Sequence, residues 1–408
     1  MNRKKLRLFC LWAAVLLLLT AAAGCTPEEL PRDAGCMAAY IGEDGLMLYR
    51  FDDGSQTLLH RGRYLAAPVF SPDGGFVWFR GGSDSFCAPL DGSRVLLAAK
   101  NAEYICADGN AAIFCSPTEG VTRFDPASGE STTVIAPPET GYIGAVSFSP
   151  DRSRAVYTVC EDDIGRTQLL SLCVTVPGSS EPDAYSAAMF ARNAAVEPVA
   201  WTPDGSTCVL AIKEQGSETR GLMLFSVIDG TLSEISGRIP QISADGELWV
   251  SADGETLIAS AYRSSSDPFE SIFVLDLAAR TYSYQSGGYA PMIGNAVSAE
   301  GKVAAYSLGE CETTAYGIFV NSNGKTLLIC GGEGTSYVYP SFFADGLELY
   351  FLDTFEGEIA LCRAYANSSG ARELFAGIAA PDGVYCKTLR DTFCIYDTTG
   401  RTDDAAAE

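Results

Sequence analysis

Histidine is almost absent from this 408-residue chain, in which His60 is the only one. A single imidazole excludes metal centres built from several histidines, and any serine-histidine-aspartate triad would depend on this one residue of an early predicted strand. We therefore interpret His60 as an exposed residue at a strand end. No Cys-x-x-Cys motif occurs, which removes the usual motif of zinc-ribbon, thioredoxin-like and c-type haem sites. No metal, cofactor or catalytic residue is predicted.

Two further absences narrow the class of protein. The chain has no Gly-x-Ser-x-Gly motif, the nucleophile elbow of α/β-hydrolase peptidases. Beyond residue 25 it has no apolar run that approaches the ~20 residues needed to span a bilayer. Serine peptidases of that class and a second membrane segment are therefore not predicted.

Basic residues are also scarce relative to acids: 28 Lys and Arg stand against 51 Asp and Glu, for a net charge of −23. Removal of residues 1–24, which hold basic residues but no acid, would make the remaining chain more acidic still. Such a surface repels phosphate backbones, so nucleic acid is excluded as a partner. The acids are scattered among turns, which favours a solvated, soluble surface and a monomer.

The N-terminus has the pattern of an export signal. Basic residues at positions 3, 4, 5 and 7 precede an apolar stretch and then small residues, ending in Ala22-Ala23-Gly24-Cys25. This end resembles the bacterial lipobox, in which cleavage precedes a lipid-modified cysteine. The resemblance implies a signal peptide over residues 1–24 and attachment of acyl chains, such as palmitate, to Cys25. Ala22 stands where leucine is usual, and ordinary cleavage after an Ala-x-Ala site is the alternative.

These features predict the location of the protein. Residues 25–37 would form the lipidated cysteine and a short tether, and two or three acyl chains hold a protein firmly at a membrane. We expect a cell-membrane protein, lipid-anchored on the extracytoplasmic side.

A turn of the type Ser-Pro-Asp-Gly between apolar runs recurs roughly every 40 to 45 residues, a period typical of β-propellers. In this turn proline fixes φ, the aspartate bonds to nearby backbone, and glycine accepts a positive φ. The eight turns are centred on Asp73, Asp108, Asp151, Asp204, Asp253, Glu300, Asp345 and Asp382. Arg152 replaces the usual glycine in one copy, which we interpret as drift within a tolerant turn.

The repeat predicts an all-β fold and a single propeller domain over residues 38–397, followed by a disordered tail over 398–408. Eight turns predict eight four-stranded blades, the last completed by N-terminal strands so that the two chain ends pair and close the ring. Seven blades is the alternative, because the two terminal pieces hold more strands than one blade needs.

The turns at residues 71–74, 149–152 and 202–205 resemble those of the WD40-like repeats in TolB-type propellers. That family includes periplasmic interaction modules and the propeller halves of prolyl peptidases. The resemblance therefore implies a fold and leaves the activity open.

Twelve cysteines remain after Cys10 and Cys25 are set aside. An even number outside the cytoplasm makes disulfides conceivable, for example between Cys106 and Cys115, but cysteines inside apolar strand patterns also behave as small core residues. The sequence leaves the two states open, with a slight preference for free thiols.

The function predicted from these observations is binding. We expect a membrane-anchored lipoprotein whose propeller binds an envelope protein, a peptide or a glycan. The alternative is a carbohydrate-active enzyme with paired carboxylates in the central funnel. Converging carboxylates beside exposed aromatic residues would favour the enzyme, and an apolar face would favour a protein partner.

Overall fold

The computed structural model describes residues 35–398, apart from 164–165, 180, 192, 236–240, 244–247, 251–254, 263–270, 288–291, 299–302, 308–316, 323–324, 332–335, 344, 368–369, 385 and 387. Cys25, Asp253 and Glu300 therefore lie outside the described residues. The described residues belong to one compact unit. Within the described part of the chain, no helix is long and apolar enough to cross a membrane.

The described chain is almost entirely antiparallel β-structure. The first three strands are β1 (Met37–Gly42), β2 (Gly45–Arg50) and β3 (Gln56–Arg61). Blade 1 consists of β4 (Leu65–Phe70), β5 (Phe76–Gly81), β6 (Asp84–Pro89) and β7 (Leu96–Ala99). Blade 2 consists of β8 (Glu103–Asp108), β9 (Ala111–Ser116), β10 (Gly120–Asp125) and β11 (Glu130–Ile135). Blade 3 consists of β12 (Tyr142–Phe148), β13 (Ala155–Asp163), β14 (Arg166–Thr175) and β15 (Asp183–Ser186).

A single 3₁₀ turn, Ala187–Met189, follows β15 and leads into the next blade. Blade 4 consists of β16 (Ala195–Trp201), β17 (Thr207–Lys213), β18 (Thr219–Ser226) and β19 (Leu232–Glu234). The short strand β20 (Gln241–Ser243) precedes blade 5, which consists of β21 (Leu248–Val250), β22 (Thr256–Tyr262), β23 (Ser271–Asp276) and β24 (Thr281–Gly287).

Blade 6 consists of β25 (Met292–Val297), β26 (Val303–Ser307), β27 (Gly317–Ser322) and β28 (Lys325–Gly331). Blade 7 consists of β29 (Tyr337–Phe342), β30 (Glu348–Asp353), β31 (Ile359–Tyr365) and β32 (Arg372–Ile378), with a 3₁₀ turn at Phe355–Gly357. A third 3₁₀ turn, Leu389–Thr392, leads into the last strand, β33 (Phe393–Tyr396).

The two ends of the described chain pair with each other, as predicted. Met37 of β1 lies opposite Tyr396 of β33, and β1 also pairs with β2, which pairs with β3. One paired position, Gly42 opposite Ile378, joins this closing group, made of β33, β1, β2 and β3, to the edge of blade 7, and Tyr40 and Tyr49 pack on Phe375 of that blade with ring centroids 4.5 and 4.6 Å apart. Closure removes the exposed strand edges that an open array would present.

The main prediction of eight blades, each begun by its own turn, is not supported. Seven four-stranded blades, from β4 to β32, follow one another along the described chain, which matches the alternative count, and the closing group adds four antiparallel strands drawn from both chain ends. The eighth turn, at Asp382, lies in the connection between β32 and β33 and does not join two paired strands. Blades 4 and 5 are not separate sheets either, because β20 pairs with both β18 and β22.

Neighbouring blades pack through large buried side chains. The ring of Trp78 in blade 1 meets Phe114 and Phe124 of blade 2 edge-on, with centroids 5.8 and 6.1 Å apart. Between blades 3 and 4, Trp201 Nε1 donates a hydrogen bond to Ser147 Oγ at 3.0 Å. Each blade is thus stabilised by its neighbours, as in other repeat folds.

The eleven cysteines in the described residues are free thiols, and most are buried. Cys106 lies opposite Ile113 and Cys115 opposite Glu103, so the two thiols do not face each other across the hairpin. These side chains fill the core as small apolar groups.

Candidate functional site

Three repeat turns share one set of hydrogen bonds. In the first, Ser71 Oγ donates to Asp73 Oδ1 at 2.6 Å and accepts from the backbone N–H of Phe76 at 2.9 Å. The same bonds form from Ser149 to Asp151 and from Thr202 to Asp204, at 2.7 and 2.5 Å. The hydroxyl and the carboxylate together satisfy the backbone of the turn, so these predicted site residues hold the hairpin.

The electrostatics of Asp204 agree with this structural use. The Thr202 hydroxyl, followed by the backbone and hydroxyl of Ser206, lowers the pKa of Asp204 from 3.8 to about 2. The pKa of Asp151 is lowered in the same way, first by Ser149 and then by Ser153. Because hydrogen bonds to the charged form stabilise it, both carboxylates are ionised and engaged within their own turns.

The remaining described turn residues differ from this pattern. Asp345 accepts from the N–H of Leu347 at 2.9 Å, and Asp382 accepts from the N–H of Val384 at 2.8 Å. Asp108 ends β8 and forms an ion pair with Arg123 at 2.6 Å. The structure thus distributes the predicted turn residues among separate turns and does not bring them together in one site.

His60 was predicted to be exposed, and the structure corrects this. Its ring is half-buried, with its centroid 5.2 Å from that of Phe79 and 6.4 Å from that of Phe86. Burial lowers the pKa of His60, because the interior disfavours the charged imidazolium. Among the described residues, no group of three or more His, Cys, Asp or Glu side chains could hold a metal ion.

The clearest concave surface lies on the connection between blades 3 and 4. Two cavities, of about 310 and 410 Å³, flank this connection, and Phe190 and Ala191 border both of them. The first is also lined by Met189, Ile212 and Met223 together with polar residues of the β17–β18 loop. We call this pair of cavities the groove. Its volumes fall at the lower end of those of small-ligand sites.

A third cavity, of about 350 Å³, is lined by the first strands of blades 2, 3 and 4 and by Leu248 of blade 5. First strands surround the axis of a propeller, so we call this cavity the axial pocket. A β-bulge interrupts each of β8, β12 and β16 here, at 104/106, 143/146 and 198/200. Bulges re-aim side chains, and these three lie beside the lining residues of the pocket.

Charged groups in the axial pocket are unevenly matched. Its charged lining residues are Arg152, Glu197 and Arg220. Arg220 Nη1 lies 3.4 Å from Glu197 Oε2, with the two side chains 14% and 58% exposed. Glu197 is the single carboxylate among the described lining residues. A glycosidase that uses two carboxyl groups would require a second one, so the pocket does not support paired-carboxylate catalysis.

Arg152 adopts a backbone conformation that favours glycine. Its φ is +59°, close to the +70° of Gly74 and the +65° of Gly205 at the same turn position in blades 1 and 4. Its N–H donates to the carbonyl of Ser149 at 2.9 Å, as the two glycines do in their own turns. A side chain at positive φ costs on the order of 1–2 kcal/mol, so this position retains a strained arginine.

Sequence reasoning missed both the groove and the axial pocket. The groove is lined by Met189 and Phe190, which belong to no repeat, and by residues of the β17–β18 loop in blade 4. Arg152 was noticed as a departure from the repeat but was interpreted as drift, whereas it lines the axial pocket. The departure itself was the available signal.

No family model matches the chain, and no curated protein matches it. Among solved structures, an oligogalacturonate lyase in complex with manganese is 14% identical with a TM-score of 0.54, over 80% of this chain and 95% of that one. The dihydro-heme d1 dehydrogenase NirN is 14% identical with a TM-score of 0.59, over 92% of this chain and 77% of that one.

A putative TolB from Agrobacterium tumefaciens is also similar, at 12% identity and a TM-score of 0.39, over 88% of this chain and 96% of that one. At these identities the comparisons show the fold alone, and the chain is a β-propeller.

Proposed function

We propose that this protein is a lipid-anchored, extracytoplasmic propeller that binds a protein or peptide partner in the groove between blades 3 and 4. The observation that carries the proposal is the position of Phe190, whose half-buried ring borders both cavities. Binding residues concentrate on loops held by a rigid scaffold, and the groove is of this kind.

The chemistry of the groove favours a peptide chain. Met189 and Phe190 offer apolar and aromatic contact, while Glu214, Ser217 and Thr219 supply polar groups beside them. Apolar side chains take the side chains of a peptide, and polar groups around them fix its orientation. Methionine adapts its shape to different partners, which suits a binding surface.

The lipid anchor at Cys25 belongs to the proposal. The chain enters the propeller at Met37, which pairs with Tyr396, and Tyr396 lies beside the first repeat turn at Pro72. The repeat turns are at one end of the blades, and the β17–β18 loop of the groove is at the other end. A partner would therefore reach the groove at the end opposite to the one where the chain enters.

Site-specific photo-crosslinking in the native envelope tests the binding proposal. A photoreactive phenylalanine analogue would replace Phe190 and, as a matched control, Ile228, which is 73% exposed at the other end of β18. We expect one crosslinked protein or peptide from position 190 and none of the same mass from position 228. The same product from both positions, or none from position 190, would refute binding in the groove.

A separate measurement tests the anchor. The native chain should partition into the detergent phase and incorporate labelled palmitate, and Cys25→Ala should do neither, because lipidation requires this thiol. Palmitate incorporation that persists in Cys25→Ala would show that the anchor is elsewhere.

A further inference from the structure

We infer that the axial pocket binds a small carboxylate ligand through the guanidinium of Arg152. The inference concerns a different cavity from the groove and does not depend on the proposed protein or peptide partner. It rests on the conformation of one turn, on the charges that line the pocket, and on the size of the cavity.

The first step is the placement of Arg152. The equivalent glycines show where a side chain at this turn position points: a Cβ on Gly74 would lie 2.5 Å from the ring of Tyr396, and a Cβ on Gly205 would lie 3.5 Å from Ser149 Cβ, so both face the preceding group of strands. In blade 3 the corresponding neighbour is β8, and Arg152 lines the axial pocket together with Ile105 and Cys106 of that strand. The turn thus directs the arginine toward the preceding blade, beside which it lines the axial pocket.

The second step is the charge balance around this guanidinium. Glu197 is paired with Arg220, and no carboxylate of the described residues forms an ion pair with Arg152. The positive charge of Arg152 acts on the pKa of Tyr104 and of Cys106, and Asp108, which is paired with Arg123, acts on Cys106 as well. Burial raises the pKa of the Cys106 thiol to about 11, and the positive charge of Arg152 lowers it. Both groups are therefore neutral, and the charged side chains among the described lining residues, Arg152, Arg220 and Glu197, sum to one positive charge.

This balance is unusual for the chain. Acids outnumber bases by 51 to 28, yet the described lining residues of the axial pocket include two arginines and one glutamate. The acidic surface of the protein repels anions elsewhere, so an anion would bind at this pocket in preference to other positions on the protein.

The third step is the ligand class. Guanidinium groups bind carboxylates with two parallel N–H···O bonds, which adds geometric specificity to charge. A cavity of about 350 Å³ accommodates a small organic acid or the acidic end of a larger molecule. The shared chemistry is a carboxylate held in a partly buried, cationic pocket.

Thermal unfolding and titration calorimetry with acetate, succinate and citrate test the inference, at constant ionic strength maintained with sodium chloride. Phosphate and sulfate serve as the other anions. A ligand that binds only the folded state raises the unfolding temperature. We expect at least one carboxylate to stabilise the native chain more than phosphate or sulfate does.

Three variants assign the effect to the side chain. Arg152→Gly restores the residue found in the sister turns and should fold, while weakening carboxylate binding by about tenfold or more. Arg152→Lys should retain weaker binding, since an ammonium is a point charge. Arg154→Ala removes one positive charge from the same turn, outside the lining of the pocket, and should bind as the native chain does.

Several results would overturn the inference. These are unchanged binding in Arg152→Gly, equal loss in Arg154→Ala, equal stabilisation by all the anions, or no stabilisation beyond chloride. Crosslinking from position 190 should be unaffected by Arg152→Gly, so failure of this inference and failure of the groove proposal are distinguishable.

Discussion

Arg152→Gly should stabilise the protein even though it removes a functional side chain. Arg152 is held at φ +59°, where an L-residue costs on the order of 1–2 kcal/mol relative to its normal conformations. Glycine removes this strain but makes the unfolded chain more flexible, which returns about 0.4–1 kcal/mol. The expected net gain in the free energy of unfolding is about 0.5–1 kcal/mol.

The sister turns provide the reciprocal change. Gly205 has φ +65°, and a Cβ there would meet Ser149 Cβ at 3.5 Å and Asp151 Oδ1 at 3.9 Å, which is ordinary contact. Gly205→Ala should therefore lose about 1 kcal/mol through backbone strain alone. Gly74→Ala should lose more, because its Cβ would lie 2.5 Å from Cζ of Tyr396.

Equilibrium unfolding in urea measures these differences as shifts of the midpoint at unchanged slope. Arg152→Ala is the decisive control, since it removes the long side chain and keeps the strained backbone. It should remain close to the native chain in stability, well below Arg152→Gly. The strain argument would be refuted if Arg152→Ala were as stable as Arg152→Gly, or if Arg152→Gly were less stable than the native chain.

Two further predictions concern stability. The folded-state pKa of Asp204 is about 2, against 3.8 for an unperturbed carboxyl. Its contribution to stability is thus complete above about pH 5 and is lost as the pH falls toward 2, by about 1 kcal/mol after allowance for solvent exposure. Urea midpoints between pH 2 and 5 should show this loss in the native chain and a smaller one in Thr202→Val; equal losses would contradict it. Glu348→Gln should cost about 3–5 kcal/mol, since it leaves the 4%-exposed Arg363 side chain without its carboxylate. Glu348→Leu combined with Arg363→Met should recover most of that loss in the same assay, and no recovery would contradict the ion-pair explanation.

The repeat turns could be predicted from the sequence because their chemistry is local. In the turns at Asp73, Asp151 and Asp204, every hydrogen bond that defines the turn joins residues at most five positions apart. Pairing of the chain ends also followed, since a ring of blades needs closure. The same local chemistry explains the error at Asp382, where an Asp-Gly turn forms without paired strands on both sides.

The candidate sites could not be predicted because they depend on contacts between strands that are not neighbours in a sheet and between different blades. Glu197 and Arg220 meet although they lie on the first and third strands of blade 4, and Ile105 comes from a blade two positions earlier. Phe190 belongs to a connection without a repeat pattern, so no period marks it. The bulges in the first strands, which re-aim the side chains beside the axial pocket, have no sequence signal of their own.

The groove and the axial pocket share one lining residue. Arg220 lines both, and its partner Glu197 lines the axial pocket. Arg220 lines the groove, and its charge is balanced by Glu197. It therefore does not add a second unbalanced positive charge to the axial pocket. Arg152 remains the cation that distinguishes the axial pocket. The arrangement therefore separates an apolar surface, suited to a peptide, from a cationic pocket, suited to an acid, within one ring of blades.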